Sequence, residues 1–270
     1  MALPVTSVAA SKPGLRNGAR AGTARRVLRR GAKLAVFYAL LLLFGLTSLL
    51  WSLIAAPLHR LLPRRLGEAL GQRVMRAGFR AFLAAARLSG VIFCELEALD
   101  ALADAEPLVI APNHPSLLDA VLVIARVPRV AGAAKAPIWD NLFLGGAARL
   151  AGLVRNDAPV RLVREAVRQT RSGRHFLIFP EGTRSSAWPV GPFKGGFALI
   201  AKHAGAKVQT VFIDSNSRFL GKGWPLFKPP AFPLVFRARL GRRFAVEGDV
   251  HAAIEGLQRY YRQELGADEP

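Results

Sequence analysis

The sequence of 270 residues contains a single cysteine, Cys94. One cysteine excludes an internal disulfide and a cysteine-based metal cluster. Cys94 ends the apolar run Val91–Cys94, which favours a buried structural thiol over a nucleophile. The lack of a disulfide framework indicates a working face that lies in the cytosol.

Acidic residues are absent from the chain before Glu68. The formal net charge of +20 and the isoelectric point near 11.5 call for an acidic partner, which can be nucleic acid, anionic lipid or a phosphorylated substrate. The clustering of cations around an apolar segment favours anionic lipid over nucleic acid. The cations before Glu68 are Lys12, Arg16, Arg20, Arg25, Arg26, Arg29, Arg30, Lys33, Arg60, Arg64 and Arg65.

The segment from Leu34 to Ala56 contains no charged residue. As a helix it would be about 35 Å long, against a hydrocarbon core of ~30 Å, and it is too long for a signal-peptide core. We expect Pro57 and the Pro63-Arg64-Arg65 step to end it. Because lysines and arginines lie on both sides, the charge pattern leaves open whether this helix spans the bilayer or dips into it.

Three regions follow from this pattern. Residues 1–33 are predicted to be a basic, disordered tail. Residues 34–88 are predicted to hold the membrane helix and a second, amphipathic helix at Gly67–Leu88, where arginines alternate with aromatic residues. An ordinary helix with a solvated arginine face is the alternative for the second helix. Residues 89–270 are predicted to form an α/β domain.

Strand and helix patterns alternate through residues 89–270, which predicts a layered α/β domain with a central mixed sheet. The segment Gly221–Pro233, rich in proline, glycine and aromatic residues, is predicted to be a loop beside the working face. The predicted strands are Val91–Leu96, Leu108–Pro112, Val130–Ala134, Phe176–Phe179, Val208–Ile213 and Leu234–Leu240. The predicted helices are Leu117–Arg126, Ile138–Ala151, Pro159–Ser172, Lys194–Ala204 and Val250–Leu265.

The first candidate site motif is Asn113-His114-Pro115-Ser116, which continues to Asp119. His114 falls in a turn between a strand and a helix, where open α/β sheets place their ligand crevice. Five residues of straight helix would separate the two side chains by about 140°, so they meet only if His114 lies in the turn and Asp119 in the first helical turns. Asp119 could then orient the imidazole so that His114 acts as a general base. The chain has no Gly-x-Ser-x-Gly nucleophile elbow.

The second motif, Phe179-Pro180-Glu181-Gly182-Thr183-Arg184, follows an apolar strand. Gly182 permits a tight turn, and Thr183 and Arg184 are suited to binding a phosphate group. Glu181 is interpreted either as a substrate contact or as the structural partner of an arginine.

In this order, the two motifs resemble those of the glycerolipid acyltransferases, over about residues 90–245. The resemblance implies that Glu181 and Arg184 belong to the acceptor site, that Lys135 binds the acceptor phosphate and that Lys194 lies near phosphate or CoA. Arg155 is a further substrate-binding candidate, since Gly152-Leu153-Val154-Arg155 is similar to a glycine-to-arginine block of the family with shorter spacing. Ala136-Pro137-Ile138 follows Lys135 in place of the family's acidic residue and leucine, which leaves the acceptor open.

The resemblance further implies O-acylation of a lysophospholipid, with 1-acyl-sn-glycerol 3-phosphate as the first candidate and acyl-CoA or acyl-carrier protein as donor. No cofactor, metal or nucleic acid is expected. The expected partners are anionic membrane lipids, and the expected location is the cell inner membrane with the active site on its cytoplasmic face. Another lysolipid acceptor, such as an amino-acid lipid, and a non-catalytic basic membrane-binding module are the alternatives.

Overall fold

A computed structural model describes residues 14–225 and 228–266, with side chains from residue 28 onward. The predicted disorder of residues 1–13 lies outside these described residues. For residues 14–33 the prediction of disorder is wrong, because they form the first turns of a helix that continues to Leu61. This segment is rich in arginine and alanine, which favour helix, and it extends an apolar helix that has already nucleated.

The described residues form eight α-helices and one 3₁₀ helix, the latter at Glu97–Leu102. The α-helices are α1 (Gly14–Leu61), α2 (Arg64–Leu88), α3 (Asp119–Arg126), α4 (Ala136–Trp139), α5 (Gly145–Leu150), α6 (Pro159–Arg171), α7 (Gly196–Ala204) and α8 (Val250–Gly266).

Seven strands form one sheet in the order β1-β7-β6-β2-β5-β3-β4. All neighbouring strands are parallel except β6 and β7, which are antiparallel. The predicted α/β fold with a mixed sheet is therefore confirmed. The strands are β1 (Ile92–Glu95), β2 (Val109–Pro112), β3 (Val130–Ala134), β4 (Val154–Arg155), β5 (His175–Leu177), β6 (Val208–Ser215) and β7 (Leu234–Phe244).

Each face of the sheet carries its own apolar core. Alternate residues of β2 point to opposite faces, so Ile110 packs with α2 and α3 while Val109 packs with α6, α7 and α8. All four residues of β2 are buried, as expected for a central strand covered on both faces. The carboxyl ends of β2, β3 and β5 share one edge of the sheet, where the loops of the candidate site begin.

Helix α1 joins the first of these faces through few residues. Phe37 is 2% exposed and packs against Phe219 and Phe232, at ring-centroid distances of 5.5 and 5.3 Å. Most of the helix is apolar and exposed, and the stretch Leu28–Leu61 is long and apolar enough to cross a membrane. Its exposed leucines are Leu28, Leu42, Leu43, Leu46, Leu50, Leu53 and Leu61.

Two helix predictions are corrected. Pro57 lies inside α1, because proline removes only one N–H donor and the ladder resumes where the Leu62 N–H donates to the Leu58 carbonyl at 2.9 Å. The single helix predicted at Ile138–Ala151 is divided into α4 and α5. Asn141 interrupts it, since its side-chain oxygen accepts the N–H groups of Phe143 and Leu144 and holds the turn that precedes the second helix.

Candidate active site

The structure brings His114 and Asp119 together at the carboxyl end of β2. The His114 Nδ1 atom lies 2.9 Å from Asp119 Oδ2, with His114 in the turn and Asp119 as the first residue of α3. The same carboxylate oxygen accepts the N–H of Ser116 at 2.8 Å. Since Asp119 engages Nδ1, the Nε2 atom is the ring nitrogen left for a substrate, and the His114 side chain keeps 13% of its surface exposed.

Asp119 is completely buried, and burial raises the pKa of its carboxyl to about 6, although the hydrogen bond from His114 acts to lower it. Two hydrogen bonds from N–H groups to one oxygen favour the ionised carboxylate. With Asp119 ionised, His114 carries its proton on Nδ1 and presents Nε2 as a base.

The imidazole is also held from one side by an aromatic ring that the sequence analysis did not single out. Phe179 stacks on His114 with ring centroids 3.7 Å apart and an angle of 14° between the rings. Phe179 directly precedes Pro180 and Glu181 of the second motif, so each motif contributes to the placement of the base. The signal for it in the sequence was its place at the head of that motif.

Asn113 fixes the backbone from which His114 extends. Its side-chain amide donates to the Ile213 carbonyl at 2.9 Å and accepts the Ile213 N–H at 2.7 Å. These two bonds continue the β2–β6 ladder by one position through a side chain. The pairing of β2 with β6 thereby extends to Asn113, the residue immediately before His114.

Glu181 binds loop backbone rather than an arginine, so the arginine alternative is wrong. Its Oε1 atom accepts the His114 N–H at 3.2 Å and the Ser185 hydroxyl at 2.6 Å. Its Oε2 atom accepts the Gly191 N–H at 2.8 Å. With three donors satisfied and only 3% of its surface exposed, the carboxylate positions the loops, which corrects the expectation of a substrate contact.

The backbones of the two motifs are also joined directly. The Ser185 N–H donates to the His114 carbonyl at 2.7 Å. Together with the Glu181 contact, this bond joins the loop after β5 to the turn after β2. Both the N–H and the carbonyl of His114 are thus bound by that loop. The residues are 67 or more positions apart in sequence, so this coupling could not be read from either motif alone.

Gly182, Thr183, Lys135 and Lys194 meet beside one cavity of about 1190 Å³. Gly182 has φ +66°, and a β-carbon there would lie 2.9–3.1 Å from the end of the Lys194 side chain. Lys135 Nζ donates to the Thr183 hydroxyl at 3.4 Å. Two lysines, a hydroxyl and a glycine turn can together bind an anionic oxygen group.

Arg184 lies outside the residues that line this cavity. Its Nη1 atom donates to the carbonyls of Leu220 and Gly221, each at 2.9 Å. The guanidinium therefore holds the Leu220–Gly221 backbone in place. Any contact with a phosphate would have to use its remaining N–H groups.

The segment Phe219–Gly221 braces the candidate site and was missed by the sequence analysis. The Ser116 hydroxyl donates to the Phe219 carbonyl at 2.9 Å, and the Leu117 N–H donates to the Leu220 carbonyl at 3.1 Å. Leu220 has a positive φ of 55°, an unusual conformation for leucine. Because these contacts use main-chain carbonyls, no side-chain pattern in the sequence marks them.

Arg155 is bound by two carboxylates, and the side chain of Cys94 is half-buried. Arg155 pairs with Asp157 and, at 3.2 Å, with Asp140, so its charge is already matched by two carboxylates. This pairing is a correction to its expected role in substrate binding, since two carboxylates already match its positive charge. Burial raises the pKa of the Cys94 thiol to about 11, which keeps it protonated and unsuited to nucleophilic attack.

Comparison with known proteins agrees with the resemblance drawn from the motifs. Residues 91–214 match the family model described as Acyltransferase. A 1-acyl-sn-glycerol-3-phosphate acyltransferase of Limnanthes alba is 39% identical over 119 residues, which are 41% of this chain and 42% of the relative. The enzyme of the same name from Cocos nucifera is 38% identical over 97 residues, 33% of this chain and 31% of the relative. The chain thus matches less than half the length of these relatives.

A solved structure is similar over most of its length. The crystal structure of the 1-acyl-sn-glycerophosphate (LPA) acyltransferase PlsC from Thermotoga maritima matches 90% of this chain and 96% of that one. The TM-score is 0.57 and the sequence identity 19%, so this likeness concerns the fold. The predicted resemblance to the glycerolipid acyltransferases is confirmed.

Proposed function

We propose that this chain, which resembles the glycerolipid acyltransferases, transfers a fatty acyl group from a thioester to the free hydroxyl of a lysophospholipid. The observation that carries the proposal is the His114–Asp119 pair, 2.9 Å apart, with Nε2 directed away from the carboxylate. The first candidate acceptor is 1-acyl-sn-glycerol 3-phosphate, the substrate named for the plant relatives. The donor is acyl-CoA or acyl-carrier protein.

In the proposed reaction His114 acts first as a base. Its Nε2 atom takes the proton of the acceptor hydroxyl while that oxygen attacks the thioester carbonyl carbon. When the tetrahedral intermediate collapses, the carbon–sulfur bond breaks and the imidazolium returns the proton to the leaving sulfur. Asp119 holds Nδ1–H and stabilises the imidazolium between these steps. The products are an ester and a free thiol, with no covalent enzyme intermediate.

Binding of the acceptor phosphate is assigned to Lys135, Thr183 and Lys194. Lys135 and Thr183 are already within 3.4 Å of each other, and Lys194 crosses the Gly182 turn beside them. Charge-assisted hydrogen bonds to phosphate are among the stronger polar contacts in proteins. A phosphate at this point would place the glycerol hydroxyls of the acceptor near Phe179 and the His114 ring that stacks on it.

The proposed setting is the cell inner membrane, with the reaction on its cytoplasmic face. The support is the exposed apolar surface of α1 over Leu28–Leu61. The arginines of α1 and α2 on either side would be attracted by anionic headgroups, each by about 1 kcal/mol. Membrane attachment would also bring the enzyme to its lipid substrate.

A panel of acceptors tests this function. The purified protein in detergent micelles is supplied with labelled acyl-CoA or acyl-carrier protein and with lysolipids that differ only in headgroup. The product is identified and quantified by mass spectrometry. We expect product with lysophosphatidic acid and its loss in His114→Ala. His251→Ala, in an exposed histidine on α8, is the matched control. Product from an amino-acid lysolipid alone would move the assignment to another acceptor, and no product from any acceptor would refute an acyltransferase.

A further inference from the structure

A groove between α6 and α7 extends the cavity of the candidate site along the second face of the sheet. At the site end it begins beside Lys135, Thr183 and Lys194. At the far end it reaches Arg171 and His203, the last turns of the two helices. Helices that follow parallel strands run back across the sheet, so the groove leads from the carboxyl edge of the sheet to its amino edge.

The middle of the groove is apolar but lies at the surface. Val160, Val163 and Val167 of α6 recur at steps of three and four residues, which places them on one side of the helix. Leu199 of α7 forms the opposite wall, and Ile178 lies beneath them. Val160 is 84% exposed and Leu199 36% exposed. Val163 and Val167 are half-buried and pack on the core beneath them. Exposed aliphatic side chains at Val160 and Leu199, continuous with these half-buried valines, indicate an apolar strip that a ligand can cover.

Cationic side chains border the groove from its middle to its far end. Arg164 and Arg171 of α6 both line it and both are exposed. The Arg171 guanidinium donates to the His203 carbonyl at 2.6 Å, which joins the ends of the two helices. Among the described residues that line the groove there is one acid, Asp157, and it is paired with Arg155. The far half of the groove is therefore suited to an anion.

The length and chemistry of the groove define the ligand. The twelve steps from Pro159 to Arg171 correspond to about 18 Å of helix. A matching ligand has a reacting group at the site end and a flexible uncharged arm beside the valines. Its negative charges extend from Arg164, about 7.5 Å along the helix from Pro159, to Arg171. A CoA thioester has all three, because the pantetheine arm connects the acyl sulfur to a diphosphate and a 3′-phosphate.

A lysolipid fits the same groove poorly. Its phosphate would match the lysines at the site end, but the end of its alkyl chain would then lie against Arg164 and Arg171. The groove is also on the face of the sheet opposite to the core that Phe37 of α1 joins. A water-soluble donor therefore suits the arginine end of this groove, and the acceptor phosphate needs only its site end, where Lys135, Thr183 and Lys194 lie.

We propose that the α6–α7 groove binds the CoA portion of an acyl-CoA donor, with the pantetheine arm over Val160, Val163, Val167 and Leu199 and the phosphates at Arg164 and Arg171. The assignment rests on the proposed acyl transfer for the identity of the donor. It chooses acyl-CoA over acyl-carrier protein, and it separates the donor from the acceptor phosphate at Lys135 and Thr183.

Direct binding of free CoA tests the proposal without relying on turnover. The full chain in detergent micelles is titrated with CoA by calorimetry, as the parent protein, as Arg164→Glu and as Arg164→Glu/Arg171→Glu. We expect the single variant to weaken CoA binding about tenfold and the double variant more, since charge-assisted contacts with phosphate are lost and replaced by repulsion. Arg161→Glu carries the same change of charge on the same helix, but Arg161 does not line the groove, so its affinity for CoA should stay within about twofold of the parent.

A shortened ligand gives a second test of where the phosphates bind. Pantetheine, which lacks the phosphates, should bind the parent protein much more weakly than CoA, whereas the double variant should bind CoA and pantetheine with similar affinity. Such non-additivity is the expected signature of groups in direct contact. Thermal unfolding of each variant shows whether the fold is kept, and Arg164→Glu covers the case in which loss of the Arg171–His203 bond destabilises the double variant.

Three results would overturn the assignment. Unchanged CoA affinity in both arginine variants would place CoA elsewhere. A parent protein that does not bind CoA but accepts acyl groups from acyl-carrier protein would identify the wrong donor. If an arginine variant raised the Michaelis constant for the lysolipid alone, the groove would bind the acceptor instead of CoA. By contrast, CoA binding that depends on these arginines, without acylation of any lysolipid, would support the CoA site and refute the proposed function.

Discussion

Replacement of Asp119 by asparagine should separate catalysis from folding. Asparagine has nearly the same shape, but its amide nitrogen can take the Oδ2 position and donate a hydrogen bond to His114 Nδ1, which would leave the ring proton on Nε2. The Ser116 N–H then loses its acceptor. In that tautomer the imidazole cannot accept the proton of the acceptor hydroxyl. By analogy with the same substitution in a serine protease triad, we expect kcat to fall about 10⁴-fold, which corresponds to about 5 kcal/mol in the activation barrier.

The stability of the same variant should hold or improve. Burial raises the pKa of Asp119 to about 6, whereas the carboxyl of an unfolded chain has a pKa near ~4. Because the folded pKa is the higher one, folding favours the protonated acid, and the ionised carboxylate lowers stability by an amount that grows as the pH rises from about 4 to about 6. At neutral pH this cost is on the order of 3 kcal/mol. Asparagine has no charge to bury, and this relief offsets its weaker hydrogen bonds.

Steady-state rates and thermal unfolding of Asp119→Asn, measured on one preparation, test both expectations. Asp104→Asn, in an exposed residue of the first face, is the control for the change of charge. A variant that keeps about a tenth or more of kcat would show that Asp119 does not orient the base. A large drop in Tm with a proportionate loss of activity would show a structural role alone.

Three further predictions follow from the site. The rate of the parent enzyme should fall as the pH drops through about 6, because protonation of Asp119 removes the acceptor of the Nδ1–H hydrogen bond; a rate that is flat from neutral pH to well below that value would contradict the need for an ionised Asp119. Lys135→Met should raise the Michaelis constant of lysophosphatidic acid about tenfold with little change in kcat, and an effect confined to the acyl donor would refute the acceptor assignment. Glu181→Leu should lower Tm by several degrees and kcat together, since three donors lose their acceptor at a cost of about 1–3 kcal/mol each; an altered Michaelis constant with unchanged Tm would restore Glu181 as a substrate contact.

The parts of the site that could be predicted from the sequence are local. His114 and Asp119 meet because an apolar strand, a proline-containing turn and a helix start occur within a dozen residues. The sheet was predictable for a similar reason, as its central strands are continuous apolar runs that are buried on both faces. Strand β4 was missed because two residues carry no recognisable period.

The parts that could not be predicted depend on contacts distant in sequence. The partners of Glu181 lie at residues 114, 185 and 191, and the carbonyls that Arg184 binds lie 36 and 37 positions away. An acid and an arginine in a loop motif suggest a substrate, and only the packed structure shows that main-chain groups take those positions. The extent of α1 was misjudged because composition alone does not show that an apolar helix propagates into its basic flank.

The rate of acyl transfer by His114→Ala, compared with the parent enzyme in the same micelles, tests the central claim most directly. General-base catalysis by a positioned side chain contributes about 10²–10⁴ to a rate, so the account predicts a loss of that size, with Tm and CoA affinity maintained. A His114→Ala enzyme that works within a few-fold of the parent rate would contradict the account, because the proposed reaction gives the hydroxyl proton to His114 alone.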